Sequence, residues 1–118
     1  MKESGEMYLE TILVLGKEKQ PVRAIDVAGR MGLTKASVSR ALTRLKDEKC
    51  IEVDEAGHIG FTAEGLDIAE KIYERHRVLT DMLVRLGVDR ETAVADACKI
   101  EHDISDASFE AIKNYLGN

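Results

Sequence analysis

Three residues near the carboxyl end of the chain carry side chains that bind divalent transition metals. Cys98, Glu101 and His102 stand at positions i, i+3 and i+4, so on a helix they would share one face. A thiolate, a carboxylate and an imidazole on one face are suitable ligands for such a metal. The same pattern also fits a core cysteine beside two polar surface residues. The residues taken alone leave both interpretations open.

A second set of side chains, in the first half of the chain, has the composition of a helix that reads DNA. Thr34 is a typical N-cap, and the residues over 35–49 place apolar side chains three and four positions apart. A helix of this kind fits the major groove, which is about 12 Å wide. We predict DNA binding by the hydroxyl and cationic side chains on its other face, which are Lys35, Ser37, Ser39, Arg40, Thr43 and Arg44. The alternative is a helix face that is only solvated.

The distribution of charge supports the DNA-binding interpretation, although the net charge is −5. Residues 17–46 include eight basic and two acidic side chains, for a net charge of +6. Residues 89–118 include three basic and seven acidic side chains, for a net charge of −4. The basic segment suits phosphates, and the acidic segment suits cations or solvent.

The elements around the cationic helix predict a winged helix-turn-helix. An amphipathic helix over 5–18 comes first. The short helix over 23–31 is then expected to bury Ile25, Val27, Ala28 and Met31, and Gly32 suits the tight turn that follows. Residues 51–62 change to two short runs around a turn, which predicts a β-hairpin as the wing.

The remaining sequence predicts only helices. A long helix begins after Thr62, tolerates Gly65 in its first turns and runs to about Leu86; two shorter helices cover about 90–102 and 106–116. The fold class is therefore mainly α. We expect a winged helix-turn-helix DNA-binding domain over 1–62, followed by a helical metal-binding and dimerisation domain over 63–118.

Composition excludes several other classes of protein. Apolar residues make up 44% and charged residues 33% of the 118 residues, and no run of about 18 apolar residues is present, so we expect a soluble protein without membrane association. The acidic start, MKESGEMYLE, does not resemble a signal peptide, so a cytoplasmic location is expected. Without secretion, Cys50 and Cys98 are expected to be a core thiol and a candidate ligand rather than a disulfide.

The whole chain resembles the diphtheria toxin repressor and manganese transport regulator family of metal-dependent repressors. The resemblance is carried by Glu6-Met7-Tyr8-Leu9-Glu10, Arg75-His76-Arg77, Gly87-Val88-Asp89, and Ala97-Cys98-Lys99-Ile100-Glu101-His102 with Ser105. It extends from the first predicted helix to the last. Because the chain stops at Asn118, we expect it to lack the SH3-like domain of some members.

The resemblance implies two metal sites. At the first, Met7 would join Cys98, Glu101 and His102. At the second, His76 matches a histidine ligand of the family, and Glu10 matches the first-helix glutamate of the manganese-type members, with Glu101 shared.

The chain departs from both metal subtypes of the family. It has Thr80 and Val94 where iron-type members have a glutamate and a histidine, and Met7 and Cys98 where manganese-type members have carboxylates. Sulfur ligands shift preference from Mn(II) toward Fe(II), Co(II), Ni(II) and Zn(II). The expected cofactor is thus a divalent transition metal, Fe(II) first and Mn(II) second, and no organic cofactor is expected.

These expectations combine into a metal-dependent repressor. A metal with ligands before and after the DNA-binding unit would favour the arrangement in which a homodimer binds a palindromic operator of double-stranded DNA and controls metal-uptake genes. The predicted dimer surface, or alternatively part of the core, is formed by Ile104, Phe109, Ile112 and Leu116. Two other functions compete: a winged-helix regulator that senses a small organic ligand, and a small metalloenzyme. The enzyme is least favoured because no further acid–base pair accompanies the ligands.

Overall fold

A computed structural model describes residues 3–117, and over these residues the protein forms six α-helices and one two-stranded sheet. The elements in chain order are α1 (Glu3–Glu18), α2 (Ala24–Met31), α3 (Lys35–Asp47), β1 (Ile51–Val53), β2 (Ile59–Phe61), α4 (Ala63–Arg85), α5 (Arg90–Ile100) and α6 (Asp106–Leu116). The mainly α fold class with a helix-turn-helix and a hairpin is confirmed. None of the helices in the described part of the chain is long and apolar enough to cross a membrane.

The chain packs as two compact units, Met1–Glu70 and Lys71–Asn118. This division falls inside α4, later than the boundary at residue 62 that the sequence predicts, so the predicted domain limits stay a prediction. The first two residues and the last residue of those predicted domains lie outside the described part.

The first unit has a core formed by α1, α2, α3 and the sheet, with Leu9, Val27 and Val38 fully buried. The prediction that α2 buries Ile25 is wrong, because this side chain is 63% exposed. Ile25 lies two residues before Val27, about 200° around the helix, so the two cannot share one narrow buried face.

The hairpin that follows α3 has the expected antiparallel form. Its register pairs Ile51 with Phe61 and Val53 with Ile59. Ile59 also donates its backbone N–H to the carbonyl of Val22 at 2.8 Å, so the wing is held by the segment before α2 as well as by its own turn. The predicted core position of Cys50 is confirmed, and burial raises the pKa of its thiol.

A close backbone approach determines how α4 begins. Thr62 caps the helix by accepting the N–H of Gly65 at 3.1 Å, and its hydroxyl donates to the carbonyl of Lys49 at 2.7 Å. A Cβ atom placed on Gly65 would lie 1.8 Å from the carbonyl oxygen of Cys50. A glycine is therefore required at this position, whereas the sequence suggested only that it is tolerated.

The second unit contains the rest of α4 together with α5 and α6. The predicted caps Asp89 and Ser105 are confirmed, since each side chain accepts a backbone N–H of the first turn that follows it, at 3.1 Å. Phe109 is buried, which favours its alternative role in the core over a dimer contact. The remaining three residues of the predicted dimer surface are half-buried.

Two helix ends differ from the sequence prediction. Helix α3 ends at Asp47, and Lys49 adopts a left-handed conformation with φ 61°, which cannot continue a helix. Helix α5 ends at Ile100 rather than at His102. Arg75 donates to the backbone carbonyls of Glu101 and Ile104, which follow the end of α5 and have no partner within that helix.

Candidate functional site

Helix α3 presents the predicted DNA-binding residues on the face opposite its core contacts. The N-cap Thr34 accepts the backbone N–H of Ser37 at 3.1 Å, and the helix buries Val38, Ala41, Leu42 and Leu45. Of the predicted contacts, Ser37 is half-buried, and the exposed ones are Lys35, Ser39, Arg40, Thr43 and Arg44. The hydroxyl of Thr43 donates to the carbonyl of Ser39 at 3.0 Å, so it is already used within the helix. The cations are therefore the exposed side chains best suited to phosphates or base edges.

The wing carries a series of polar contacts that the sequence did not predict. The Nε2 of His58 lies 2.9 Å from the guanidinium of Arg23, the residue before α2. The other ring nitrogen faces the carboxylate of Asp54 at 3.3 Å, and Asp54 also accepts the backbone N–H of His58 at 2.8 Å. No role was predicted for His58. Only the tertiary structure brings Arg23 and His58, 35 positions apart, together.

In the second unit, the donor atoms of three candidate metal ligands lie close together. The Nδ1 of His76 on α4 lies 3.0 Å from the Oε1 of Glu101 and 3.7 Å from the Sγ of Cys98 on α5. One donor atom from each of these residues lies within 4.8 Å of the others. Ligand atoms that share one ion at about 2.0–2.3 Å lie roughly 3–4 Å apart, so the spacing suits a transition metal.

Glu101 is the residue that makes a metal a good fit. Its side chain is fully buried, its Oε1 faces His76, and no described residue hydrogen-bonds its Oε2. A buried carboxylate is costly unless it is paired or coordinates a metal. Together with a thiol and an imidazole, this oxygen gives a donor set that suits a divalent transition metal.

His102 lies close to the same carboxylate. A ring nitrogen of His102 lies within 4.8 Å of a Glu101 oxygen, and the side chain is half-buried. Within the second unit, Glu101 is therefore close to both histidines and to Cys98. The sequence predicted Glu101 beside Cys98 and His102, and placed His76 at a second site.

The sequence also singled out two residues on α1 and one further residue on each of α4 and α5. Met7 on α1 is 41% exposed, so it is not a core residue of the first unit, and Glu10 is half-buried. Thr80, one turn after His76 on α4, is buried, and no described residue hydrogen-bonds its hydroxyl. Val94 on α5 is half-buried and offers no ligand atom.

Comparison with known protein families gives two adjoining matches that cover almost all of the chain. Residues 1–59 match the family described as "Iron dependent repressor, N-terminal DNA binding domain". Residues 62–118 match the family described as "Iron dependent repressor, metal binding and dimerisation domain".

Individual relatives agree with these matches. The transcriptional regulator MntR of Escherichia coli is 34% identical over 112 residues, which cover 95% of this chain and 72% of the relative. An uncharacterized HTH-type transcriptional regulator of Methanocaldococcus jannaschii is 30% identical over 118 residues, with 98% and 94% covered. A solved manganese-dependent transcriptional repressor, in complex with manganese, superposes with a TM-score of 0.87 at 25% identity and 96% coverage. This chain spans about half of that protein, 52% of its length.

Proposed function

The chain belongs to the iron-dependent repressor family of metal-dependent transcriptional regulators, and from this premise we propose that it represses transcription when a divalent transition metal is bound. The observation that carries the proposal is the buried Glu101 carboxylate, which lies close to His76 and Cys98 and has one oxygen without a partner among the described residues. We further propose that a homodimer binds a palindromic operator that controls metal-uptake genes, and that it acts in the cytoplasm.

The proposed metal ligands in the second unit are that carboxylate and three side chains close to it, which makes the set His76, Cys98, Glu101 and His102. A bound divalent cation supplies positive charge and directional coordination bonds. Glu101 contributes a carboxylate whose burial is costly without a cation. Cys98 contributes a thiolate, and the two histidines contribute neutral ring nitrogens.

Met7 and Glu10 are proposed as further ligands because the family resemblance implies them. Both lie on α1, which precedes the DNA-binding helix, whereas the other four ligands follow the wing. Ligands that precede and follow the DNA-binding helix and the wing in the sequence would make the metal affinity depend on the arrangement of this DNA-binding segment. A metal can shift such an equilibrium by no more than its differential affinity for the two states.

We propose Fe(II) as the activating metal, with Mn(II) as the second candidate. The thiolate of Cys98 disfavours Mn(II) relative to Fe(II) and the later metals. The family description names iron, whereas the solved relative is a manganese-dependent repressor in complex with manganese. Intrinsic affinity would favour metals later in the series, so supply in the cell is expected to select Fe(II).

The proposed DNA contacts are the exposed side chains of α3, with the wing beside the adjacent backbone. In a dimer, two such helices about one DNA turn apart would match a palindromic site. The four cations at positions 35, 40, 44 and 46 supply attraction to phosphate that does not depend on sequence.

An anaerobic DNA-binding titration tests the function. Binding of a palindromic promoter fragment is measured with Fe(II), with Mn(II) and with chelator, at one salt concentration. We expect tight binding with metal, weaker binding with chelator, and a stronger response to Fe(II) than to Mn(II). Equal affinity with and without chelator would refute metal dependence and would favour a regulator that senses a small organic ligand.

A further inference from the structure

Arg75 precedes His76 on α4, and its guanidinium contacts the turn between α5 and α6. Its Nη1 donates to the carbonyl of Glu101 at 3.1 Å and to the carbonyl of Ile104 at 2.7 Å. Its Nη2 pairs with the carboxylate of Asp106, the first residue of α6. The guanidinium carbon also lies 5.5 Å from the centre of the Phe109 ring. The Arg75 side chain is 15% exposed, whereas the Asp106 side chain is largely exposed.

These contacts fix both ends of one short turn. The segment from Glu101 to Ile104 begins with the buried carboxylate ligand, continues with His102 and leads into α6. The carbonyls at the two ends of this segment both accept hydrogen bonds from the planar guanidinium of Arg75, the residue before His76 on α4. A guanidinium can hold several acceptors at once because its donors form a fixed planar fork, whereas a lysine ammonium is a single point charge on a flexible stem.

We propose that Arg75 is a positioning residue of the metal site, and that it couples the site to α6. It orients the backbone of Glu101 so that the carboxylate faces the other donors. Because the same guanidinium contacts Asp106 and Phe109, a change in the position of this turn would also change the position of α6. The inference rests on the proposed function, because it requires that Glu101 binds a metal. It adds a connection from the ligands to α6 that does not pass through any ligand side chain.

The chain offers a matched control in Arg77. This arginine lies two positions later on α4, is exposed, and its guanidinium lies 5.3 Å from the ring of Tyr73. Arg75→Lys and Arg77→Lys are therefore the same chemical change on one helix. Only the first removes the fork whose two terminal nitrogens join the Glu101 and Ile104 carbonyls to the Asp106 carboxylate.

The test uses the full chain and Co(II) alone as the probe, under anaerobic conditions. Absorption reports the Co(II) affinity and the sulfur-to-Co(II) charge-transfer band from Cys98. We expect Arg75→Lys to weaken Co(II) binding by about 10- to 100-fold, as loss of an outer hydrogen-bonding partner does at other metal sites. We also expect a shifted charge-transfer band, and neither change in Arg77→Lys. Parental affinity and an unaltered spectrum in Arg75→Lys would overturn the inference while leaving the proposed function intact.

A second variant keeps the inference testable if Arg75→Lys fails to fold. Asp106→Ala removes a largely exposed carboxylate and leaves the carbonyl contacts of Arg75 in place. Amide hydrogen exchange of α6 is measured with and without Co(II). We expect Co(II) to slow exchange in α6 of the parent, and to slow it clearly less in Asp106→Ala. Equal slowing in both proteins would overturn the coupling. A parent that does not bind Co(II) would refute the proposed function and this inference together.

Discussion

The Nδ1 of His76 and the Oε1 of Glu101 lie 3.0 Å apart, although 25 positions separate the two residues in the sequence. This contact brings α4 and the end of α5 together at the donor atoms of the candidate metal site. The Cys98 sulfur faces the same ring nitrogen at 3.7 Å. A metal ion at this point would replace the contacts among these donors, so its binding should be sensitive to the charge on Glu101.

Glu101→Gln should abolish metal binding without unfolding the protein. The amide has the same shape but no charge, so burial costs less and the stability without metal is expected to be unchanged or higher. In the parent, a free metal concentration of 100 times Kd should raise the free energy of unfolding by about 2.7 kcal/mol. Thermal unfolding with and without Co(II) measures both effects. Glu91→Gln, an exposed change on α5, is the control. Full stabilisation of Glu101→Gln by Co(II) would contradict the site.

Cys98→Asp should change which metal the protein prefers. Replacing a soft thiolate by a hard carboxylate favours Mn(II) relative to Co(II) and Zn(II). Competition titrations of the parent and the variant with Mn(II) and Co(II) measure the ratio of affinities. The control is Cys50→Ala, because Cys50 is buried in the other unit and its raised pKa keeps the thiol protonated. An unchanged ratio in Cys98→Asp would show that Cys98 is not a ligand.

Arg40→Ala should weaken operator binding by removing an exposed cation from the centre of α3. If Arg40 contacts a phosphate, the negative slope of log K against log salt concentration should become less steep by about 1. The loss of affinity should then be similar on specific and unrelated DNA. A base contact would instead cost about 1–3 kcal/mol on the specific site alone. Fluorescence anisotropy at several salt concentrations distinguishes these outcomes. Lys113→Ala on α6 is the control cation, and an equal loss in that variant would argue against a role for α3.

Gly65→Ala should destabilise the first unit strongly. The added methyl carbon would lie 1.8 Å from the Cys50 carbonyl oxygen, which is backbone and cannot rotate away. Overpacking of this kind costs about 1–3 kcal/mol or more. Gly29→Ala on α2 is the matched control, because a methyl carbon there meets nothing within 4 Å. It should stabilise the protein by about 0.5–1 kcal/mol through lower backbone entropy in the unfolded state. Urea unfolding measures both, and a mild effect in Gly65→Ala would contradict the close approach.

Asp26 should contribute stability that is lost in acid. Hydrogen bonding from the backbone N–H of Arg23, followed by the contact with Lys19, lowers the pKa of Asp26 below its ordinary value of 3.8. A carboxylate with a lowered pKa stabilises the folded state above its ordinary pKa, and this contribution disappears as the pH falls through the lowered value. Asp26→Asn should therefore reduce the difference in stability between pH 7 and acid. Denaturant unfolding at a series of pH values checks this, and an unchanged pH dependence would refute it.

Local patterns in the chain were sufficient to predict the elements and the types of donor. Helical spacing predicted α1 and the later helices, the hairpin followed from the change of period after residue 50, and the caps at Thr34, Asp89 and Ser105 appeared where predicted. These features depend on neighbours within one turn of a helix or hairpin, which a linear sequence displays directly. The Cys98, Glu101 and His102 pattern is local in the same sense.

Packing between distant segments produced what no local pattern contains. It brought His76 to Cys98 and Glu101, buried the Glu101 carboxylate, and placed Arg75 against the turn that carries it. It also made a glycine necessary at position 65. Each of these outcomes depends on the distance between segments far apart in the chain. Residue spacing sets directions within one helix, but only the packing of helices against each other sets which side chains meet and which are removed from water.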